Sequence, residues 1–276
     1  MSPKLSVIIP CYNSEATLEL TLNSILNQNF QEWEAIIIND GSKDATEEIS
    51  IKWTEKDKRF KYFSKENGGL GKARNFGIER AQGIYILPLD SDNLVEENFS
   101  RKAISVFEKD LSIGVVHGYA EYFGEKKGLW KIEDFNLQKM LIHNYIDACA
   151  IFKKELWQKN GGYDENMPHQ GHEDWEFWLA LGINNTKFYN LNEITFKYFV
   201  AQNSMIRSFS KEMMIANQDY IAKKYCKVYY DEYCKTFFQI KNTNKKIDSK
   251  LKSEKFVINL FCYTFFRFKI FKENRS

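Results

Sequence analysis

An α/β fold with a mainly parallel central sheet, extended by a helical C-terminal segment, is predicted by three observations on the 276-residue sequence. Short apolar runs alternate with amphipathic stretches as far as Asp90, the pattern of strands joined by helical crossovers. Those runs are nearly continuous rather than alternating, as strands covered on both faces are. Polar and acidic residues gather where the runs end, and in parallel sheets ligands bind beyond the carboxyl ends of the strands.

The elements follow in order. Leu5 to Pro10 is the first buried strand, stopped at its proline. Ser14 to Asn27 reads as a helix, with Leu18, Leu22, Ile25 and Leu26 on one face and Ser14 or Asn13 placed to cap it. Glu34 to Asp40 is the second strand, closed by the turn Asp40-Gly41-Ser42, and a second helix runs from about Asp44 to Lys56. Phe60 to Phe63 is a short strand, Lys65 to Gly69 a loop, Leu70 to Ala81 a helix, and Gly83 to Leu89 a strand ending at Asp90-Ser91-Asp92. Residues 93–112 receive no element. Ile113 to Phe123 alternates like antiparallel strands, Asp147 to Phe152 reads as another strand, and Gly161 to Glu165 as a turn. Asp174 to Leu181 is a helix and Thr186 to Val200 is strand-like. From Ser210 the pattern is helical, polar over Lys241 to Lys255 and then dense in Phe.

Hydrophobic content of 43% and charged content of 28% exclude collagen-like, mucin-like and wholly disordered classes. The net charge of +2 conceals a split, −6 over residues 1–209 and +8 over 210–276. An acidic body with a basic tail points to an anionic surface as partner. The Lys residues are scattered, however, so nucleic acid is not expected. Five cysteines, Cys11, Cys149, Cys226, Cys234 and Cys262, form neither a disulfide framework nor a zinc-ligand spacing. No apolar run approaches the roughly 20 residues of a spanning helix, and the N-terminal run is too short for a signal peptide. A cytoplasmic location is the expectation.

Asp90 and Asp92, one residue apart in a turn, can converge on a divalent ion; hard oxygen ligands suit Mn2+ or Mg2+ holding a diphosphate. Asp and Asn also favour turns for their own sake. Asp40 either caps the helix after it or accepts N–H donors of a nucleotide base or ribose. Glu173-Asp174 opens a helix continued by Trp175, Glu176, Phe177 and Trp178. Carboxylates there complement the helix dipole, but one desolvated by aromatic neighbours also suits a general base. His169 and His172 lack the cysteine partners of a closed zinc site.

Taken together, Leu5-Ser-Val-Ile-Ile-Pro-Cys-Tyr-Asn13, Ser24-Ile-Leu-Asn-Gln28, Ile36-Ile-Ile-Asn-Asp-Gly-Ser42 with Asp44, and Glu66-Asn-Gly-Gly-Leu-Gly-Lys-Ala-Arg-Asn75 resemble a family 2 glycosyltransferase. Leu87-Pro-Leu-Asp-Ser-Asp92, Gly161-Gly-Tyr-Asp-Glu165 and Glu173-Asp174 continue the resemblance in the same order, to about residue 206. It implies a glycosyltransferase-A type nucleotide-sugar fold and inverting transfer from a nucleotide-diphosphate sugar, with UDP the expected carrier. It also implies a glycan or lipid-linked acceptor in surface polysaccharide or glycoconjugate biosynthesis. By that resemblance Pro10, Tyr12 and Asp40 line the base pocket, with Arg74 nearby. Asp92 is the implied direct metal ligand, Asp90 (followed by Ser91) lies nearer the ribose and donor sugar, and Asp174 is the general base. Residues 1–112 would then bind the donor, 113–209 the acceptor, and 210–276 would form a basic, aromatic extension.

One departure from the family stands out. Many relatives carry Tyr-Arg-x-His before a Ser-Met pair, and this chain has Tyr198-Phe199-Val200-Ala201 before Ser204-Met205. His172, Gln202 or Asn203 are the candidates to replace the missing His, and Arg207 could meet the diphosphate; Glu173 and Trp175 are candidates on the acceptor side. The segment Phe256 to Lys272 holds six of the 22 Phe and ends among Arg267, Lys269, Lys272 and Arg275. It suits an anionic membrane surface, or else packing on the catalytic body or against a second copy in a homodimer. Two alternatives remain beside the transferase: a sugar nucleotidyltransferase, although Pro10 to Asn13 offers no Gly-rich phosphate loop, and a non-catalytic glycan-binding relative.

Overall fold

The computed structural model describes residues 2–201 and 210–271. Strands β1 (Leu5–Cys11), β2 (Trp33–Asp40), β3 (Phe60–Lys65) and β4 (Tyr85–Pro88) lie in the order β3-β2-β1-β4, all parallel. Every residue of β1 and β2 is buried, which is why both strands read as unbroken apolar runs. Helices α1 (Leu18–Leu26), α2 (Thr46–Lys56) and α3 (Leu70–Arg80) connect them. α3 lies directly on the sheet at Gly77, where a Cβ would come within 2.6 Å of Ile38 and 2.7 Å of Ile8.

α1 begins at Leu18, four residues later than the sequence predicts, and neither Ser14 nor Asn13 caps it. Their side chains are engaged elsewhere. Ser14 Oγ accepts from Tyr12 N at 3.2 Å and meets Ser91 Oγ at 2.7 Å. Asn13, at a left-handed φ of 51°, accepts from Lys43 N at 2.9 Å. These bonds join the loops after β1, β2 and β4.

Beyond β4 the sheet becomes mixed. β8 (Ile151–Lys153) pairs antiparallel with β4, and β6 (Ile113–Gly124), β9 (Lys187–Val200) and β5 (Leu94–Val95) follow outward. β7 (Gly128–Trp130) is a short partner of β6. The alternation of β6 suggests antiparallel pairing, which it has with β7 and β8, but its longest ladder is parallel, with β9. α4 (Phe99–Lys109) fills the unassigned stretch and buries Phe99, Ala103, Ile104 and Phe107. α5 (Leu137–Met140), α6 (Lys154–Asn160), α7 (Glu173–Ile183) and α8 (Lys211–Lys224) complete the body.

The chain forms two compact units, one ending at Lys223 and the other beginning at Lys224. The first continues past the charge break at Ser210 because α8 is bonded into it. Tyr220 OH donates to Asp164 at 2.9 Å, and Asn217, fully buried, is bonded to the loop before α7. The second unit contains α9 (Cys226–Leu251) and α10 (Glu254–Phe266). Asn259 accepts from Ile270 N at 2.9 Å and Phe271 N at 2.8 Å, folding the residues after α10 back along it. Phe261, Phe265, Phe266, Phe268 and Ile270 are exposed there. Among the described residues no helix is long and apolar enough to cross a membrane.

Candidate active site

The carboxyl ends of β1, β2 and β4 converge. Pro10, Cys11, Tyr12, Asp40, Asn67, Leu70, Ala73 and Gln170 line a cavity of about 250 Å³. Tyr12 is 55% exposed beside it, leaving an aromatic face open. Asp40 is buried and does not cap a helix. Its Oδ1 accepts from Lys65 Nζ at 2.6 Å and Gly68 N at 3.0 Å, and its Oδ2 from Gly69 N at 2.8 Å. It therefore fixes the glycine loop that forms one wall. Gly69, at φ 91°, holds a left-handed conformation that favours glycine.

The turn after β4 is closed by Asn93 N donating to Asp90 O at 3.0 Å. The Asn93 side chain accepts from Phe199 N at 2.9 Å, which draws the end of β9, and Tyr198 with it, to the acidic turn. Arg74, only 2% exposed, donates to Asp90 at 2.8 Å and has a second guanidinium nitrogen 3.9 Å from Glu173. Burial works against its charge, but Asp90, Tyr163, Glu173 and Asp174 outweigh burial and hold its proton more tightly than usual. Among the described residues Asp92 has no such cation. Burial, reinforced by the Asp90 carboxylate, pushes its carboxyl up to about 7.

Asp174 stands at the start of α7. Burial pushes its carboxyl up to about 7, against the pull of Arg74 and with the Glu173 charge adding to the rise. Two donors favour its ionised form, Trp175 N at 2.8 Å and Asn144 Nδ2 at 2.9 Å. Glu173 is turned inward, both its oxygens 3.0 Å from Gly171 N. Trp175 is buried, donating through its indole to Met140 O at 2.6 Å. His172 meets Asn217 through Nδ1 at 3.0 Å and lies edge-on to Trp175. The loop holding these residues is clamped from α8, because Asn217 also accepts from His169 N at 2.9 Å and donates to His169 O at 2.8 Å. Its anchor at the Gly161 turn is Asn75, bonded to Tyr163 N, Tyr163 O, Glu165 and Trp157.

The structure thus brings Asp90, Ser91, Asp92, Arg74, Glu173 and Asp174 together, with Pro10, Tyr12 and Asp40 at the adjoining cavity. Gln202, Asn203 and Arg207 lie outside the described residues. Sequence reasoning missed Asn144, Asp147, Gln170, Lys65 and Asn217. Of these, Asp147 carries a signal, a carboxylate opening an apolar run; the others are polar residues at a strand end, in loops or on a helix. Among the described residues no three His, Cys, Asp or Glu side chains form a set able to hold a metal. Asp90 and Asp92 offer two hard oxygen donors with excess negative charge, which fits an ion whose remaining ligands are diphosphate and water, the usual habit of Mg2+.

A family model described as glycosyl transferase family 2 matches residues 6–161. An uncharacterised glycosyltransferase of Rickettsia typhi is 29% identical over 229 residues, 79% of this chain and 68% of that protein. Among solved structures, S. aureus TarS 1–349 in complex with UDP-GlcNAc superposes with a TM-score of 0.65 at 22% identity, covering 75% of this chain and 61% of that one. The mannosyltransferase PcManGT of Pyrobaculum calidifontis, with GDP-Man and Mn2+, gives 0.58 at 18% identity, covering 74% and 59%. At these identities the solved structures bear on the fold, a glycosyltransferase-A type sheet. The chain spans about three fifths of their length.

Proposed function

The chain belongs to glycosyl transferase family 2, and from that premise we propose that it moves a sugar, with inversion, from a nucleotide-diphosphate donor to an acceptor hydroxyl. The observation that carries this reading is Asp174, a half-buried carboxyl held near 7 and linked to the acidic turn through Arg74. A base whose proton affinity lies near working pH transfers protons most effectively. Asp174 takes the acceptor hydroxyl proton as that oxygen attacks the anomeric carbon. The bond from that carbon to the diphosphate oxygen breaks on the opposite side, and its electron pair leaves with the diphosphate. One in-line displacement inverts the centre and requires one base. The cavity at Pro10, Tyr12 and Asp40 takes the nucleobase, with the open face of Tyr12 as a stacking surface.

Asp90 and Asp92 would hold Mn2+ or Mg2+, which supplies positive charge to the departing diphosphate. The complex of S. aureus TarS with UDP-GlcNAc favours UDP as carrier, and that of the Pyrobaculum enzyme with GDP-Man makes GDP the alternative. Family membership sets aside the nucleotidyltransferase alternative. Residues 1–112 are assigned to the donor and 113–209 to the acceptor. The deciding experiment is a thermal-shift screen of UDP- and GDP-sugars with Mn2+ and with chelator. One donor should raise Tm by mass action, and chelator should weaken it. No response to any nucleotide sugar would return the chain to the non-catalytic reading, and a response unaffected by chelator removes the ion from Asp92.

The acceptor is proposed to be a lipid-linked or surface glycan, met at the inner face of the cell membrane. Support comes from the C-terminal unit, where exposed Phe261, Phe265, Phe266 and Phe268 adjoin Lys255, Arg267 and Lys269, a pairing that suits an anionic interface. A two-fold homodimer through this face would set like charges against each other. The full chain should float with anionic vesicles and lose flotation on Phe265→Ser with Phe266→Ser; a concentration-dependent dimer that ignores vesicles supports the homodimer instead.

A further inference from the structure

Asp147 lies outside the machinery just described, yet its surroundings belong to it. β8 pairs antiparallel with β4 at Ile86 and Phe152 and at Tyr85 and Lys153. β8 begins four residues after Asp147, and its partner β4 leads into the acidic turn. From the other side, Asn144 is tied to Asp174 at 2.9 Å, so the segment leading into β8 passes between the acidic turn and the base. Tyr198 closes the group, drawn in by the bond from Phe199 N to Asn93. Burial first, and then the charges of Asp147, Asp90, Asp92 and Asp174, raise the proton affinity of its phenol, so one hydroxyl feels all four carboxyls.

A structural role accounts for half of the Asp147 carboxyl. One oxygen accepts from Cys149 N at 2.8 Å, and among the described residues the other has no hydrogen bond. The side chain remains half-buried rather than sealed in the core. Within the same site the Nε of Arg74 is buried without a partner, a second polar group left for something the protein does not itself supply.

We propose that Asp147 binds a ring hydroxyl of the transferred sugar and so selects among donors that differ in hydroxyl configuration; the inference rests on the glycosyltransferase reading. A carboxyl with one oxygen fixed and one open is a directional partner for a hydroxyl. Sites built to hydrogen-bond a hydroxyl reject analogues that lack or misplace it, because the buried polar group is then left unpaired. The donor is favoured over the acceptor because Asp147 leads into β8, the strand paired with β4, whose end carries Asp90.

The test compares the full chain with its Asp147→Asn and Asp147→Ala variants. kcat/KM is measured for the donor that wild type uses best and for the C4 epimer of that donor, together with UDP affinity and acceptor KM. Both variants should lower the preference for the better donor by about tenfold or more, with UDP affinity and acceptor KM within twofold of wild type. Asn has nearly the shape of Asp, so Asp147→Asn carries the test if the Ala variant does not fold. An unchanged epimer ratio overturns the inference, as does a raised acceptor KM with the ratio intact. Wild-type protein that transfers from no donor overturns the glycosyltransferase reading as well, which separates the two failures.

Discussion

Replacing Asn144 with Ala removes one hydrogen bond from the proposed base and leaves the base in place. In wild type the amide donates to Asp174 Oδ2 at 2.9 Å, and the carboxyl lies at about 7. A hydrogen bond to a charged group is worth about 1.5–3 kcal/mol when buried. Asp174 is only half-buried, so the low end applies, which corresponds to about one pH unit. The base works ionised, and kcat/KM should therefore rise with pH through an inflection near 7 in wild type and roughly one unit higher in Asn144→Ala. At pH 7 the variant should be slower by about fivefold, the ratio of ionised fractions at the two inflections. Well above both inflections the two proteins should converge. The assay is kcat/KM by nucleotide release across the accessible pH range at saturating acceptor. A loss of the same size at every pH, or an inflection that does not move, would show that Asn144 merely packs, or that the limb belongs to a group other than Asp174.

Asp174→Asn should keep nucleotide-sugar affinity within about twofold and lower transfer by about 10²–10⁴, the usual range for a general base, measured by calorimetry beside turnover. Asn217→Ala removes the buried amide that bonds the His169 backbone and His172. It should cost about 1–3 kcal/mol in urea unfolding while UDP still binds; an unchanged midpoint would mean that α8 does not hold the loop. Asp92 keeps its proton to about 7 in the folded chain but only to about 3.8 when unfolded. Between those values the native state binds more protons, so this group's contribution to stability falls as pH rises through the window and is level above it. Accordingly the stability of wild type relative to Asp92→Asn should decline from pH 5 to pH 8 without metal; a rise would contradict the burial of that carboxyl.

Much of the donor half was legible because its strands are buried on both faces, so that Ile36-Ile-Ile38 and Ile8-Ile9 stand out without any partner being known. α4 escaped notice although Phe99, Ala103, Ile104 and Phe107 have helical spacing, since Arg101, Lys102, Glu108 and Lys109 dilute the run. The direction of β6 could not be read, because alternation reports burial of one face and says nothing about which way the neighbouring strand runs. In the site, acidic residues at strand ends announced themselves. Asn144, Gln170 and Asn217 did not, because a neutral amide in a loop or on a helix gains its meaning from a partner far away in sequence. Even Asp40, which was noticed, does something composition could not show: it binds the Gly68 and Gly69 amides, shaping a wall of the cavity.

The bonds from Asn217 to His169 and His172 also set where this chain can be recombined with others. A foreign C-terminal module joined at the change in charge near Ser210 would discard α8 and release the loop that leads into Asp174, whatever the new module brought with it. Joined after Lys223, the same exchange would leave every hydrogen bond of that clamp in place. The body that carries Asp174 and the C-terminal unit are therefore separable parts, and the boundary in the chain lies one helix beyond the place where the charge changes sign.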